Sequence, residues 1–261
     1  MKLLLSTPLI LAGIAWATGP GSTDLDVRRA AAEDILARSR AAYAALTSYA
    51  DSGTGTFETE GPRDIGHFQT YYRKPNNFYF EWGRRVHTSK NPADSLPMPG
   101  KQRVFWMQAG ELQTYDKEGG LHRTYPAGSS NQPAALVGAK AGTMEAITLI
   151  PSLLFPKANL VGPLQEIAEI SLAGTEEVAG HRCHKLVGIA RSVYPSGAIT
   201  NVRPIAVWID TETLLIRKVF TDTPKGTAAN VIVRLTYLVY PTLNPSLEDA
   251  KFQFTVPESQ P

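Results

Sequence analysis

A run of four residues, His181-Arg182-Cys183-His184, sets imidazole and thiol groups close together in the chain. Such groups are the usual ligands of zinc. On an extended backbone, however, His181 and Cys183 share one face and His184 points away. Three ligands cannot converge there without a kink, so the run predicts a strand carrying a buried small thiol, with no metal assigned. The other histidines, His67, His87 and His122, are scattered. The carboxylates Glu81, Glu111, Asp116 and Asp210 show no spacing that announces a paired acid and base, and Asp210-Thr211-Glu212-Thr213 reads as a turn between strands. A G-x-S-x-G elbow, an H-E-x-x-H pair, a phosphate loop and a dinucleotide fingerprint are all missing. The expectation is a non-enzyme with no catalytic residue and no cofactor. The alternative, an exported enzyme, requires two or more of these groups to meet in a cleft with perturbed pKa values.

The second concentration of side chains is aromatic. In residues 65–82, IGHFQTYYRKPNNFYFEW, Phe68, Thr70 and Tyr72 alternate with His67, Gln69, Tyr71 and Arg73, the period of a strand. Lys74-Pro75-Asn76-Asn77 breaks the run, because proline removes a ladder donor and the asparagines tolerate tight turns. Phe78, Phe80 and Trp82 then share a face of the next strand, with Tyr79 and Glu81 opposite. The hairpin carries a broad aromatic wall that needs a cover, either ordinary core or an apolar ligand.

The elements around this hairpin follow from pattern. Residues 24–48 form a helix capped by Asp24 or Asp26, with Ile35, Leu36, Ser39, Ala42, Tyr43 and Leu46 as its buried stripe. Strands are expected at 54–60, 65–73, 77–82, 102–108, 111–116 and 121–125, with an exposed proline-containing loop from Ser89 to Lys101. Connections this short fit only antiparallel neighbours. Residues 133–157 interrupt the strands with an apolar segment that Pro151 and Pro156 divide into short helical pieces. Strands resume at 167–174, 181–190, 204–210, 214–221 and 230–240, and Lys251 to Pro257 reads as an exit strand. The whole is α+β and mainly antiparallel β. About eleven strongly twisted strands in one sheet curl, so the expected architecture is a half-open, unclosed barrel with residues 133–157 as a helical lid.

Composition bounds the rest. The chain has 261 residues, 43% hydrophobic and 19% charged, with a net charge of +2 and no basic block, so a core is expected and nucleic-acid binding has little electrostatic support. Lys2, an apolar run and Ala15-Trp16-Ala17 form an export signal, residues 1–17, cleaved after Ala17. The mature domain is then 18–261. Its single cysteine, Cys183, leaves no lipid-bearing cysteine at the cleavage site and no intramolecular disulfide. The expected compartment is the periplasm, without a lipid anchor.

Tyr72 to Trp82 resembles a strand-turn-strand of the LolA/LolB periplasmic lipoprotein-carrier superfamily, in which a basic residue precedes Pro-Asn and aromatics follow. Arg103 to Asp116, Gly174 to His181, Val207-Trp208-Ile209-Asp210 through Lys218, and Phe252-x-Phe254-x-x-Pro257 resemble further hairpins of that family in the same order. The resemblance implies a half-open barrel whose cavity takes the acyl chains of a lipid or lipoprotein, working as a monomer with an inner- or outer-membrane docking protein. It implies a cavity wall of Phe68, Tyr72, Phe78, Phe80, Trp82, Trp106, Trp208, Val233 and Leu235, and a lid of Leu149, Leu153, Leu154 and Phe155. The arginine that helps gate the lid in the family is replaced by Lys74, preceded by Arg73, and these two are the gating candidates. A chain of about fifteen methylenes gains up to ~12 kcal/mol on burial at ~0.8 per methylene, enough for firm retention. The alternative within the superfamily is a sensor or protein-interaction module, of the kind of the sigma-factor regulator RseB, whose barrel is filled by its own side chains.

Overall fold

The computed structural model describes residues 22–58, 63–86, 102–129, 132, 135–136, 139, 143–156, 160, 162–193, 199–224 and 232–257. The expected export signal, His87, the expected 89–101 loop and parts of 133–157 lie outside the described residues. Helix α1 (Ser22–Ala45) leads into β1 (Ser48–Glu58), β2 (Arg63–Arg73), β3 (Asn77–Val86), β4 (Gln102–Gln108), β5 (Glu111–Asp116) and β6 (Leu121–Tyr125). A 3-10 turn (Ala146–Thr148) and the one-turn helix α2 (Pro151–Leu154) follow. Then come β7 (Glu166–Val178), β8 (His181–Val193), β9 (Ile199–Asp210), β10 (Ile216–Pro224) and β11 (Ile232–Leu243).

All eleven strands belong to one sheet in the order β6-β5-β4-β3-β2-β1-β11-β10-β9-β8-β7, and β6 and β7 do not pair. Sequential hairpins build each half, and the first strand joins the last. The result is the unclosed, curled half-barrel expected from the strand pattern. Because β6 and β7 sit at opposite ends of the sheet, the chain between them must cross one face, and this crossing is the insert. That inner face and α1 enclose the main core. Ala32, Ile35, Leu36, Tyr43 and Leu46 of α1 pack there against residues of both sheet halves.

Several boundaries differ from the sequence reading, and three of them matter for the site. Helix α1 ends at Ala45, where Lys74 Nζ donates to the Ala44 carbonyl at 2.8 Å, a favourable place for a cation at a helix C-terminus. Strand β1 starts at Ser48, before the expected 54, because Tyr49 and Asp51 already pair with Tyr72 and Thr70. The expected exit strand is absent: Asp249–Phe252 is a 3-10 turn and residues 253–257 follow without regular structure. Their aromatics are used as a plug, with Phe252 fully buried against the outer face beside Tyr79, Val104, Trp106 and Tyr115.

Candidate functional site

The aromatic hairpin forms the centre of the inner face. Phe78, Phe80 and Trp82 are wholly buried, and Phe68 and Tyr72 nearly so. Phe68 stacks between Phe80 and Trp82, with ring centroids 6.3 and 6.5 Å apart. The rings lie flat because their neighbours are glycines: a Cβ on Gly66 would stand 2.1 Å from the Trp82 ring, and one on Gly53 2.2 Å from Phe68. Glycines inside a strand are the sequence sign of such close approach. Val233 and Leu235 join the same core.

Leu149, Leu153 and Leu154 of the insert are buried in the same core cluster as this wall, and Phe155 sets its ring edge-on to Tyr72 and Phe78, 5.2 Å from each centroid. The centre of the half-barrel is therefore filled by the chain's own side chains. Two polar ties fasten the insert to the sheet. Arg203 of β9, 2% exposed, pairs with Glu145, and the Tyr237 hydroxyl of β11 donates to the Met144 carbonyl. Met144 and Glu145 adopt left-handed φ values of 49° and 69°. The arginine was legible in principle, since Arg203 has the parity of Ile205, Val207 and Ile209 and must be paired if buried. Its partner, in an irregular turn, was not.

Four expected site residues lie elsewhere. Trp106 pairs with Tyr79 across the ladder, so it falls on the outer face, where it stacks on His122 and meets Phe254. Trp208 is also on the outer face, in a small cluster with Val178, Cys183 and Ala206. Lys185 and Lys218 lie over its ring at 5.2 and 4.4 Å, and its Nε1 donates to Glu176 at 2.8 Å. An indole is amphipathic, and a tryptophan on a strand apolar on both faces can face either way. Arg73 donates to the Leu247 carbonyl, pairs with Asp249 and covers Phe252. It holds the C-terminal segment, while Lys74 holds α1. Both gating candidates bond elements other than the lid.

Most of the titratable groups are engaged separately, and a grouping forms at His181, whose Nδ1 lies 3.2 Å from the Asp210 carboxylate and 3.3 Å from the Arg217 guanidinium. Cys183 is buried and its thiol is pushed up to about 11 by burial, which keeps it a thiol. His184 faces away, its pKa lowered chiefly by burial. Burial pulls Asp210 upward, but the Thr213 and Glu212 N–H groups and Arg217 outweigh it and hold the carboxyl low. This is the expected turn, closed by the aspartate's own side chain. Glu81 accepts from Tyr79 and Gln102, Glu111 from Gln113, and Asp116 from Arg103. Among the described residues no three His, Cys, Asp or Glu side chains are grouped to hold a metal.

An open space lies beside the wall. A cavity of about 480 Å³ opens over the inner face of β4, β5 and β6, lined by Arg103, Phe105, Thr114, Asp116, Arg123 and Tyr125 and roofed by Ala135 and Ala139 of the insert. Its size falls within the roughly 300–1,000 Å³ of small-molecule sites. A second space of about 260 Å³ separates α1 from the insert, bounded by Arg40, Leu153, Leu160 and Leu164. The edge cavity follows from register, because Trp82 opposes Arg103, Arg103 opposes Asp116, and Asp116 opposes Leu121. These positions share the face of the aromatic wall, a parity already present in the sequence once the hairpins are aligned.

In comparisons by sequence, no family model and no curated protein matches the chain. Comparison of structures finds neighbours. In fold, the chain is similar to LprF from Mycobacterium bovis. The two are 13% identical, with 88% of this chain and 97% of LprF covered and a TM-score of 0.42. The Mycobacterium tuberculosis lipoprotein LppX is 14% identical over 83% of this chain and 98% of its own, with a TM-score of 0.37. The Pseudomonas aeruginosa MucA/MucB complex matches over 86% of this chain and 63% of that one, at 14% identity and a TM-score of 0.43.

Proposed function

We propose that this chain is an exported, periplasmic binding protein for an acyl-bearing ligand, a lipid or an acylated protein, which it seats between the inner face of the half-barrel and the insert. The observation that supports the reading is the 480 Å³ cavity, floored by Phe105 and Tyr125 and roofed by Ala135 and Ala139, continuous in register with the buried aromatic wall. An acyl chain entering there gains the burial of apolar surface without displacing the core. Leu149, Leu153, Leu154 and Phe155 act as a lid over the adjoining wall of Phe68, Tyr72, Phe78, Phe80, Trp82, Val233 and Leu235, and a longer ligand reaches that wall only if the lid lifts. The role is binding rather than catalysis, and delivery would involve a membrane docking protein.

A second reading has one observation in its favour. The centre of the barrel is filled by its own side chains, as a sensor or protein-interaction module would be, and in that reading the outer surface carries the binding.

Native mass spectrometry of mature protein, purified gently from the periplasm and then extracted with organic solvent, separates the two. Co-purified lipid or acylated peptide that is lost in Ala135→Phe, which fills the cavity from its roof, supports the binding protein. Bare sequence mass together with no uptake of added fatty-acyl probes overturns it and leaves the interaction module.

A further inference from the structure

Along the inner face the chemistry changes strand by strand. Phe80 opposes Phe105, Phe105 opposes Thr114, and Thr114 opposes Arg123; one row away, Trp82 leads to Arg103, Asp116 and Leu121. The wall is apolar at β3 and carries a single cation on each of β4 and β6, Arg103 and Arg123. Within the cavity, Arg103 pairs with Asp116 at 2.9 Å, yet its Nε is buried without a hydrogen-bond partner. Arg123 is exposed and has no ion-pair partner among the described residues. Two guanidinium groups against one carboxylate leave the cavity net positive. An apolar floor beside a forked cation matches an amphiphile with one anionic head, and the planar guanidinium is the side chain best shaped for phosphate oxygens.

We propose that the β4–β6 cavity is a headgroup site selecting an acyl ligand with an anionic, phosphate-bearing head. Arg123 makes the direct contact, Arg103 lines the site and adds its positive charge, and the chain runs over Phe105 and Tyr125 toward the aromatic wall. This rests on the acyl-binding reading above and adds the charge class of the ligand.

The test is titration of the purified mature protein with three probes: lysophosphatidylglycerol, lysophosphatidylcholine of the same chain length, and inorganic phosphate. The anionic lysolipid should bind roughly tenfold more tightly than the zwitterionic one, the range of a single charge-assisted hydrogen bond. Arg123→Gln should remove most of that difference, whereas Arg234→Gln on the outer face should not. Arg123 is exposed, so its substitution leaves the fold intact, which circular dichroism checks. Equal affinity for the two lysolipids overturns the headgroup site and leaves acyl binding standing. Binding of phosphate alone, dependent on Arg123 and with neither lysolipid taken up, overturns a lipid source and the acyl reading with it. Failure of all three probes also overturns both.

Discussion

Strands β7 and β6 end the same sheet, but one end is closed and the other opens onto a cavity. From β10 to β7 the inner row runs Val219, Val207, Leu186, Leu172, apolar to the last strand, and α1 packs on it. From β3 to β6 the corresponding row runs Trp82, Arg103, Asp116, Leu121. An apolar edge must be covered or it invites association. A charged edge can stay wet, so the cavity can remain open without exposing a large apolar patch. The difference separates a part of the molecule built for stability from a part free to carry function, and each substitution below tests that division.

The largest expected effect is in the closed region. Glu145→Ala leaves Arg203 buried without its carboxylate and should cost about 3–5 kcal/mol in urea unfolding. Replacing both, as Glu145→Leu with Arg203→Met, should restore most of the loss, since apolar groups of similar volume often substitute for a buried ion pair. A double variant as unstable as the single one would mean that the turn at Met144 and Glu145, not the charge pair, is what matters.

A second effect concerns a carboxyl that the sequence reading passed over. Asp51 is buried on the inner face, accepts from the Tyr49 hydroxyl at 2.7 Å, and is pushed up to about 6 from 3.8, chiefly by burial. With its folded pKa raised, its favourable contribution is complete below about pH 4 and is lost as pH rises through about 6. At neutral pH ionisation then costs up to about 3 kcal/mol, at 1.36 per pKa unit. Asp51→Asn should therefore raise stability at pH 7.5 and have little effect at pH 3.5, read from thermal unfolding at both. A pH-independent change would show that shape rather than charge governs this position.

Next in size is packing against the glycines. Gly66→Ala places a methyl against the Trp82 ring and should cost about 1–3 kcal/mol as an overpacked core. The same change at Gly83, where an added Cβ meets nothing within 4 Å, should cost well under that. The pair measures how tightly the wall is fitted, independently of any polar group.

How much of this was legible depended on parity and on distance along the chain. The β2–β3 hairpin could be read because Phe68, Tyr72, Phe78, Phe80 and Trp82 alternate cleanly around a proline-asparagine turn, and the same alternation set the strand count and the unclosed sheet. It could not assign Trp106 and Trp208, because both of their strands are apolar on both faces and period two does not say which face is inside. The filled centre was also invisible, since it depends on insert residues such as Phe155 reaching Tyr72 and Phe78, more than seventy positions away. Arg103 and Arg123 were ordinary surface cations until the hairpins were aligned. Phe252 and Phe254 looked like a strand because alternating aromatics carry that pattern even when they serve as plugs.

The smallest effect on stability should accompany the largest on binding. Leu121 ends the charged row, lines the cavity and is 47% exposed, so Leu121→Glu should change unfolding by no more than about 0.5 kcal/mol. It adds a negative charge beside Arg103 and Arg123 and removes an apolar contact from the floor, so uptake of an anionic acyl probe should fall by roughly tenfold or more. On the closed side, Leu186→Glu should do the reverse in kind, unfolding the protein before any question of ligand arises, because a carboxylate there is buried without a partner. If Leu121→Glu instead destabilises the chain as Leu186→Glu does, the β6 end is core like the β7 end, and the division between a stabilising half and a binding half is lost. If it leaves both stability and uptake unchanged, the ligand enters elsewhere, and the space between α1 and the insert beside Arg40 becomes the place to probe.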